Sequence, residues 1–216
     1  MGVRVEELPV LGRCGAGRIS TPEGAPMLQA SAWPRHVVPG DLVRALAAVS
    51  VVVGTWLSGP VATALFVLVL GGSLVPRVIG VPASLDVAYC GALVLAAWAA
   101  QLGWYDAVGW LDVAVHAVAT GLVALVAVLA LVRWGVLPSD LVDGARHPRW
   151  GSAVLVAGTG GALAVLWEIG EWAGHTFLDP SIHVGYQDTV GDLAAGLTGS
   201  VVAGLALARR RRLVVA

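Results

Sequence analysis

The hydrophobic residues of this chain fall into six long runs, separated by short segments that contain polar residues, glycine or proline. A helix that spans a membrane needs about 20 mostly apolar residues, and the runs are close to that length, the second being the shortest. Ser58-Gly59-Pro60 predicts a tight turn between the first two runs, and Pro76 and Pro82 bracket the next turn. The pattern predicts six transmembrane helices, at residues 42–58, 61–76, 84–103, 110–133, 152–174 and 188–208.

Composition identifies the environment of these helices. Hydrophobic residues make up 57% of the 216 residues and charged residues only 12%, whereas a soluble domain has roughly 25% charged residues. The mean hydropathy is +0.82. We therefore predict an all-α polytopic membrane helix bundle with one membrane domain at residues 41–208. The two cysteines, Cys14 and Cys90, exclude a disulfide framework and a cysteine-rich metal site.

The two ends of the chain are polar. Residues 1–40 mix charged residues, glycine and proline, and they lack the apolar core of a cleavable signal peptide. We predict a disordered cytoplasmic tail there, with Met27 as an alternative to Met1 for the start of translation. Residues 209–216 begin with four arginines, which predict a cytoplasmic C-terminus in contact with anionic membrane lipids. Nucleic-acid binding is not expected of a basic run at a membrane surface.

Arginine positions predict the orientation. The chain has 13 basic residues, and all of them are arginine. They lie before or at the start of the first predicted helix, between the second and third, between the fourth and fifth, or after the last helix. Basic residues in short loops stay on the cytoplasmic side of a membrane. Both termini are therefore predicted to be cytoplasmic, and we expect a multi-pass protein of the bacterial cytoplasmic (inner) membrane.

Seven ionisable residues fall near the predicted extracytoplasmic ends of three helices. Within each helix they are three or four residues apart, which places them on one helix face. A charged group in the membrane interior costs at least roughly 2.5–3.5 kcal/mol and usually marks function. The seven are Asp112 and His116 in the fourth predicted helix, Glu168, Glu171 and His175 in the fifth, and Asp188 and Asp192 in the sixth.

The charges of this predicted site are unbalanced. Together with Asp106 and Asp179, the extracytoplasmic side has seven acidic residues and no arginine or lysine. Either several carboxyl groups are protonated and share hydrogen bonds, or a cation lies among them. Histidine together with carboxylates suits a divalent transition metal, Zn, Mn or Fe, better than Ca or Mg. The pattern leaves both a metal centre and a metal-free polar network open.

The favoured hypothesis is a metal-dependent enzyme that acts on a lipid or cell-envelope substrate. Asp112 is expected to orient the ring of His116. Either Asp188 or Glu171 is expected to act as general base on a metal-bound water. The predicted metal ligands are His116, Glu168, Glu171, His175 and Asp192.

Two alternatives use the same residues. One is a proton- or cation-coupled membrane carrier, and the other is a non-catalytic membrane factor with a structural polar network. A carrier needs a polar path through the cytoplasmic half as well, and the sequence offers only Asp86 and Arg77 there. This favours an enzyme. Asp86 itself is expected to interact with the N-terminus of the third predicted helix.

Two further patterns have structural interpretations. Aromatic residues near the extracytoplasmic helix ends predict an interfacial belt, with the lining of a substrate site as the alternative. Small residues along the last two helices predict close helix packing. The aromatic set is Trp104, Tyr105, Trp110, Trp167, Trp172 and Tyr186, and the small set is Gly158, Gly161, Gly196, Ser200 and Gly204.

Three short motifs, which fall within residues 105–200, carry a family resemblance: Asp112-x-x-x-His116, Glu168-x-x-Glu171, and Asp188-Thr189-x-x-Asp192-Leu193 followed by Gly196 and Gly199. They resemble the polar pattern of the YjdF family of small bacterial membrane proteins and, more distantly, that of the VanZ-like family. VanZ-like members usually have Asp-Lys-x-x-His, where residue 113 here is valine, and glutamine at the position of Glu171. These differences argue against the glycopeptide-resistance role associated with VanZ. The resemblance to YjdF implies a place in a membrane-protein family rather than a particular reaction.

Overall fold

The computed structural model describes residues 37–143 and 149–209. Within these two ranges the chain forms seven helices and no strand, which confirms the predicted all-helical fold. Most of the predicted N-terminal tail, with Cys14 and Met27, lies outside the described residues, and so do the arginines at 210–212.

The helices alternate between long apolar segments and short connections. In chain order they are α1 (Pro39–Ile79), α2 (Ala83–Gln101), α3 (Trp104–Ala107), α4 (Leu111–Arg133), α5 (Asp140–Asp143), α6 (Arg149–Phe177) and α7 (Tyr186–Arg209). Five of them, all except α3 and α5, are long and apolar enough to cross a membrane. The chain is therefore a membrane protein with several apolar helices.

The first long helix reverses its direction. Gly59 has φ 76° and ψ −156°, a conformation that glycine adopts readily because it has no Cβ. Arg77 Nε lies 3.3 Å from Asp41 Oδ1, whereas residues so far apart along a straight helix would be separated by about 54 Å. The chain therefore turns back at Gly59, and α1 consists of two antiparallel arms, residues 39–58 and 60–79.

Contacts across this turn hold the two arms together. The Thr55 and Thr63 hydroxyl oxygens lie 2.8 Å apart, and the ring of Phe66 packs directly over Gly54. The turn coincides with the Ser58-Gly59-Pro60 segment that the sequence predicted. The first two predicted runs correspond to the two arms of α1, and the other four correspond to α2, α4, α6 and α7.

The long helices form two packed groups that meet at α4. The arms of α1 pack against α2, where the Phe66 and Trp98 ring centroids lie 4.9 Å apart and Trp98 Nε1 donates a hydrogen bond to Ser50 Oγ at 2.9 Å. α4, α6 and α7 pack against one another, and α4 also contacts α2 and α1. A continuous hydrophobic core runs through both groups and includes Ile79, Cys90, Leu129 and Val156.

Glycines allow α7 to approach its neighbours closely. A Cβ atom at Gly199 would overlap the backbone carbonyl of Ala117 in α4, and one at Gly204 would lie 2.8 Å from the backbone of Ala153 in α6. A side chain at Gly158 would meet only open space. Three members of the predicted small-residue set therefore lie in close contacts between helices: Gly196, Ser200 and Gly204.

Candidate functional site

Three helices bring acidic residues and a histidine together at one end of the bundle. α4 and α7 begin at this end and α6 finishes there, so that their ionisable residues lie at a similar level. Among the residues that the structure describes, two overlapping groups have potential ligand atoms within 4.8 Å of one another. We call their members the histidine cluster: Asp112, His116, Glu168, Glu171 and Asp192.

His116 belongs to both groups. Its Nδ1 atom lies 3.0 Å from Asp192 Oδ1 and 3.2 Å from Asp112 Oδ1. This nitrogen is buried, yet neither oxygen is placed to form a hydrogen bond of good geometry with it. Buried polar atoms almost always have a partner. A cation held between Nδ1 and the two carboxylates would satisfy all three groups at once.

The two glutamates of α6 have neighbours that fix their side chains. The Glu168 carboxylate interacts with the Thr189 hydroxyl of α7, and the Glu171 carboxylate interacts with the Trp167 indole one turn earlier in α6. Both glutamates are half-buried. Thr189 therefore has an identifiable role within the Asp188-Thr189-x-x-Asp192 segment, since it links α7 to the glutamate side of the cluster.

Asp188 and His175 lie outside both groups. Asp188 Oδ1 is 3.9 Å from Nε2 of His183, and the side chains of Asp188 and His183 are 23% and 78% exposed. His175 Nδ1 lies 2.7 Å from the carbonyl oxygen of Ile182. The structure thus directs His175 to the loop between α6 and α7 and does not bring it to the other predicted ligands.

Tyr105, which the sequence analysis assigned to the interfacial aromatic belt, is a neighbour of the cluster. It lies in α3, and its hydroxyl donates a hydrogen bond to the carbonyl oxygen of Ala96 at 3.0 Å. Burial raises the pKa of the Tyr105 hydroxyl above its ordinary value. The carboxylates of Asp112, Glu171 and Asp192 add to that rise. The sequence placed Tyr105 in the aromatic belt because it lies near the extracytoplasmic ends of the predicted helices.

The arginines of α4, α6 and α7 lie at the far ends of their helices. Arg133 ends α4, Arg149 begins α6 and Arg209 ends α7. At a rise of 1.5 Å per residue, they are about 25–33 Å along the helix from the acidic residues of the same helix. Among the described residues, no basic side chain other than His116 contributes to the histidine cluster.

A second cluster of ionisable side chains connects α1 with α2. We call it the arginine cluster: Asp41, Arg44, Arg77 and Asp86. Arg44 donates hydrogen bonds from Nη1 to Asp41 Oδ1 at 3.0 Å, from Nη1 and Nη2 to the two oxygens of Asp86, and from Nε to the carbonyl oxygen of Ser73 at 2.8 Å. Arg77 completes the cluster through Asp41. Its two acids and two arginines balance in charge.

The arginine cluster changes the sequence-based view of Asp86. Asp86 was expected to interact with its own helix N-terminus, but it is 3% exposed and paired with Arg44, which is 7% exposed. The sequence also offered only Asp86 and Arg77 in this half of the protein, whereas the structure adds Asp41 and Arg44. Arg44 was missed because it was grouped with the arginines that precede the first helix, although it lies in the second turn of α1.

Comparison with known proteins places the chain in a family. No curated protein and no solved structure matches it. A family model described as "Predicted membrane protein (DUF2238)" matches residues 41–213, which include both clusters. This is the YjdF-like family that the three motifs resemble, and no link to the VanZ-like family is found. The chain therefore belongs to the DUF2238 family of predicted membrane proteins.

Proposed function

We propose that the chain crosses the bacterial inner membrane six times, with both termini in the cytoplasm and the histidine cluster near the extracytoplasmic face. Two observations support this topology. The reversal at Gly59 divides α1 into two arms of about membrane-spanning length. The described arginines lie at the helix ends remote from the histidine cluster or in the arginine cluster, as expected for cytoplasmic positions.

Thiol labelling tests this topology. Ser181 is exposed in the loop between α6 and α7, and the native Cys14 belongs to the predicted cytoplasmic tail. In intact spheroplasts, a membrane-impermeant thiol reagent is expected to label Ser181→Cys and to leave Cys14 unlabelled until the membrane is opened. Labelling of Cys14 in intact spheroplasts would contradict the proposed orientation.

We infer that the protein is a metal-dependent enzyme that acts on a lipid or cell-envelope substrate. The observation that carries this inference is the meeting of four carboxylates and His116 from three helices, around a buried ring nitrogen without a well-placed hydrogen bond. Four ionised carboxylates that share one histidine repel one another strongly at membrane depth. A divalent cation removes this repulsion and uses the donor atoms that suit Zn, Mn or Fe.

All the predicted site residues except His175 have a role in this proposal. His116, Asp112 and Asp192 form one ligand group, and Glu168 and Glu171 complete the other with the same histidine. Asp112 lies close enough to His116 to serve either as a ligand or as the group that orients the ring. His175, which spacing alone predicted as a ligand, is more simply assigned to the loop that it contacts.

Asp188 is the better placed general base of the two that the sequence predicted. It lies one helical turn before Asp192, it is outside both ligand groups, and its side chain is partly exposed to solvent. Glu171, in contrast, belongs to a ligand group. A bound divalent ion lowers the pKa of a coordinated water and polarises a substrate carbonyl. Asp188 would accept the proton from the attacking water.

The arginine cluster argues against the carrier alternative. A cation carrier must offer the ion a favourable path through the other half of the membrane as well. That half contains Arg44 and Arg77, whose charges repel a cation, and Asp86, whose two oxygens are already bound by Arg44. The side chains of the arginine cluster pair with one another and hold α1 against α2.

A comparison of turnover with ion flux separates the two functions. Metal-loaded protein in proteoliposomes made from bacterial envelope lipids is expected to convert at least one lipid, as detected by mass spectrometry. Asp188→Asn is expected to keep the metal and lose that conversion. Flux of the radioactive metal ion across the proteoliposome membrane, with no change in any lipid, would identify a carrier instead.

A further inference from the structure

The surroundings of the histidine cluster restrict the chemistry of its substrate. The cluster contains acids and one histidine, and the arginines of its three helices lie about 25–33 Å along the helix from its members. From this we infer that the substrate is an uncharged carboxylic ester with an apolar acyl chain, rather than a phosphate ester. This inference rests on the proposed function and specifies the bond that the enzyme would hydrolyse.

Phosphate esters need more positive charge than the described residues of this site provide. Proteins bind and activate phosphoryl groups with arginine, lysine or metal clamps, and with backbone N–H groups at helix N-termini. α4 and α7 do begin at this end, but Asp112 and Asp188 occupy their first turns. These carboxylates oppose the weak positive field of the helix ends. One divalent ion would offset only two of the four carboxylate charges, so an anionic substrate would still meet excess negative charge in the cluster.

A neutral ester avoids this repulsion. Its carbonyl oxygen needs only one electrophile, and a divalent ion held by the cluster would supply it. The ester group itself brings no charge into the site. The four carboxylates therefore oppose the approach of a phosphate and leave the approach of an ester carbonyl unaffected.

Apolar side chains on the helices around the cluster are exposed. Trp167, Ile169 and Trp172 of α6 are 40%, 53% and 53% exposed, and Trp110 before α4 is 69% exposed. They lie in the same turns as Glu168, Glu171 and Asp112. A substrate with an acyl chain in the outer leaflet would thus bring its ester group to the level of the cluster while its chain contacts these residues.

The reaction balances with water as the only co-reactant. Water oxygen forms a bond to the ester carbonyl carbon, and one water proton passes to the Asp188 carboxylate. The bond between the acyl carbon and the alcohol oxygen then breaks. Asp188 returns the proton to the departing alkoxide, so that one carboxylic acid and one alcohol form from one ester and one water.

Two fluorogenic probes test the inference on the full-length, metal-loaded protein in nanodiscs. Methylumbelliferyl oleate is a neutral ester with an apolar chain, and bis-methylumbelliferyl phosphate is an anionic phosphate ester with the same fluorophore. We expect hydrolysis of the oleate ester only. Asp188→Asn is expected to lower that rate about 100-fold or more and to keep the metal. Asp179→Asn, in the loop between α6 and α7 and outside both ligand groups, is the matched control and is expected to leave the rate unchanged.

The outcomes distinguish this inference from the proposed function. Hydrolysis of the phosphate probe at a rate equal to or above that of the oleate ester would overturn the ester assignment while leaving a metal-dependent enzyme in place. Metal-loaded protein that hydrolyses neither probe would also overturn it. Protein that binds no metal would overturn the proposed function itself, and then any hydrolysis would need another explanation.

Discussion

The arginine cluster and the histidine cluster place ionisable side chains inside the same bundle with opposite charge arrangements. In the arginine cluster, two aspartates face two arginines, and Arg44 alone makes hydrogen bonds to three other residues. In the histidine cluster, four carboxylates face one histidine, and its Nδ1 atom lacks a well-placed hydrogen bond. The charges of the arginine cluster are balanced by its own side chains. The negative charges of the histidine cluster are balanced only when protons or a cation bind.

This difference separates a structural use of buried charge from a functional one. Removing one member of a balanced buried pair leaves an uncompensated charge, which is strongly destabilising. Removing one carboxylate from an unbalanced cluster relieves its repulsion with the remaining carboxylates. The protein then loses affinity for the cation but not stability. Substitutions in the two clusters should therefore change stability in opposite directions when no metal is present.

The largest effect is expected in the arginine cluster. Arg44→Met leaves the buried Asp86 carboxylate without its partner, and the free energy of unfolding should fall by about 3–5 kcal/mol. Thermal unfolding in detergent and the amount of protein in the membrane fraction measure this. The double variant Arg44→Met/Asp86→Leu should recover most of the loss. A single variant as stable as the wild type would show that the cluster does not hold α1 against α2.

The next effect concerns the histidine cluster. Asp192→Asn keeps the volume of the side chain, so the metal-free variant should be at least as stable as the metal-free wild type. A metal ion at 100 times its Kd should stabilise the wild type by about 2.7 kcal/mol, and the variant should gain much less. The measurement is the Tm with and without added Zn²⁺, Mn²⁺ or Fe²⁺. If the metal-free variant is clearly less stable, Asp192 holds the fold together and the functional assignment is wrong.

Packing between the helices should matter independently of either cluster. Gly204→Leu inserts a side chain where the backbone of Ala153 would lie 2.8 Å from its Cβ atom. Overpacking of this kind costs about 1–3 kcal/mol and should lower Tm and abundance with and without metal. Gly191→Ala on the same helix, where a Cβ atom meets open space, is the control. Equal behaviour of the two variants would contradict the close approach of α6 and α7.

The smallest effect is expected at His175, and it tests where the histidine cluster ends. His175→Ala removes the contact with the Ile182 carbonyl, which as a single hydrogen bond contributes about 0.5–1.5 kcal/mol. Hydrogen exchange of residues 178–185 should become faster, while metal content stays at the wild-type value. His183→Ala, at an exposed position, should change neither. A loss of metal in His175→Ala would restore His175 to the ligand set.

Much of the fold follows from the sequence because apolar runs and glycine-proline turns are local signals. The Ser58-Gly59-Pro60 turn lies at the observed reversal, and the spacing of Asp112 and His116 placed them on one face of α4. Contacts between helices are not local, so the sequence could not pair Arg44 with Asp86. It could also not foresee that His175, on the same face as Glu171, turns to the Ile182 carbonyl instead.

Metal analysis of the purified protein tests the central claim most directly, namely that the histidine cluster is completed by a cation. Protein purified without chelators is expected to carry about one or two Zn, Mn or Fe ions per chain. His116→Ala should lose them, and Arg44→Met/Asp86→Leu should keep them. Of the three residues changed, only His116 belongs to the histidine cluster. Folded wild-type protein that contains no metal, and whose Tm is unchanged by all three ions, would contradict the claim and favour a protonated, hydrogen-bonded network.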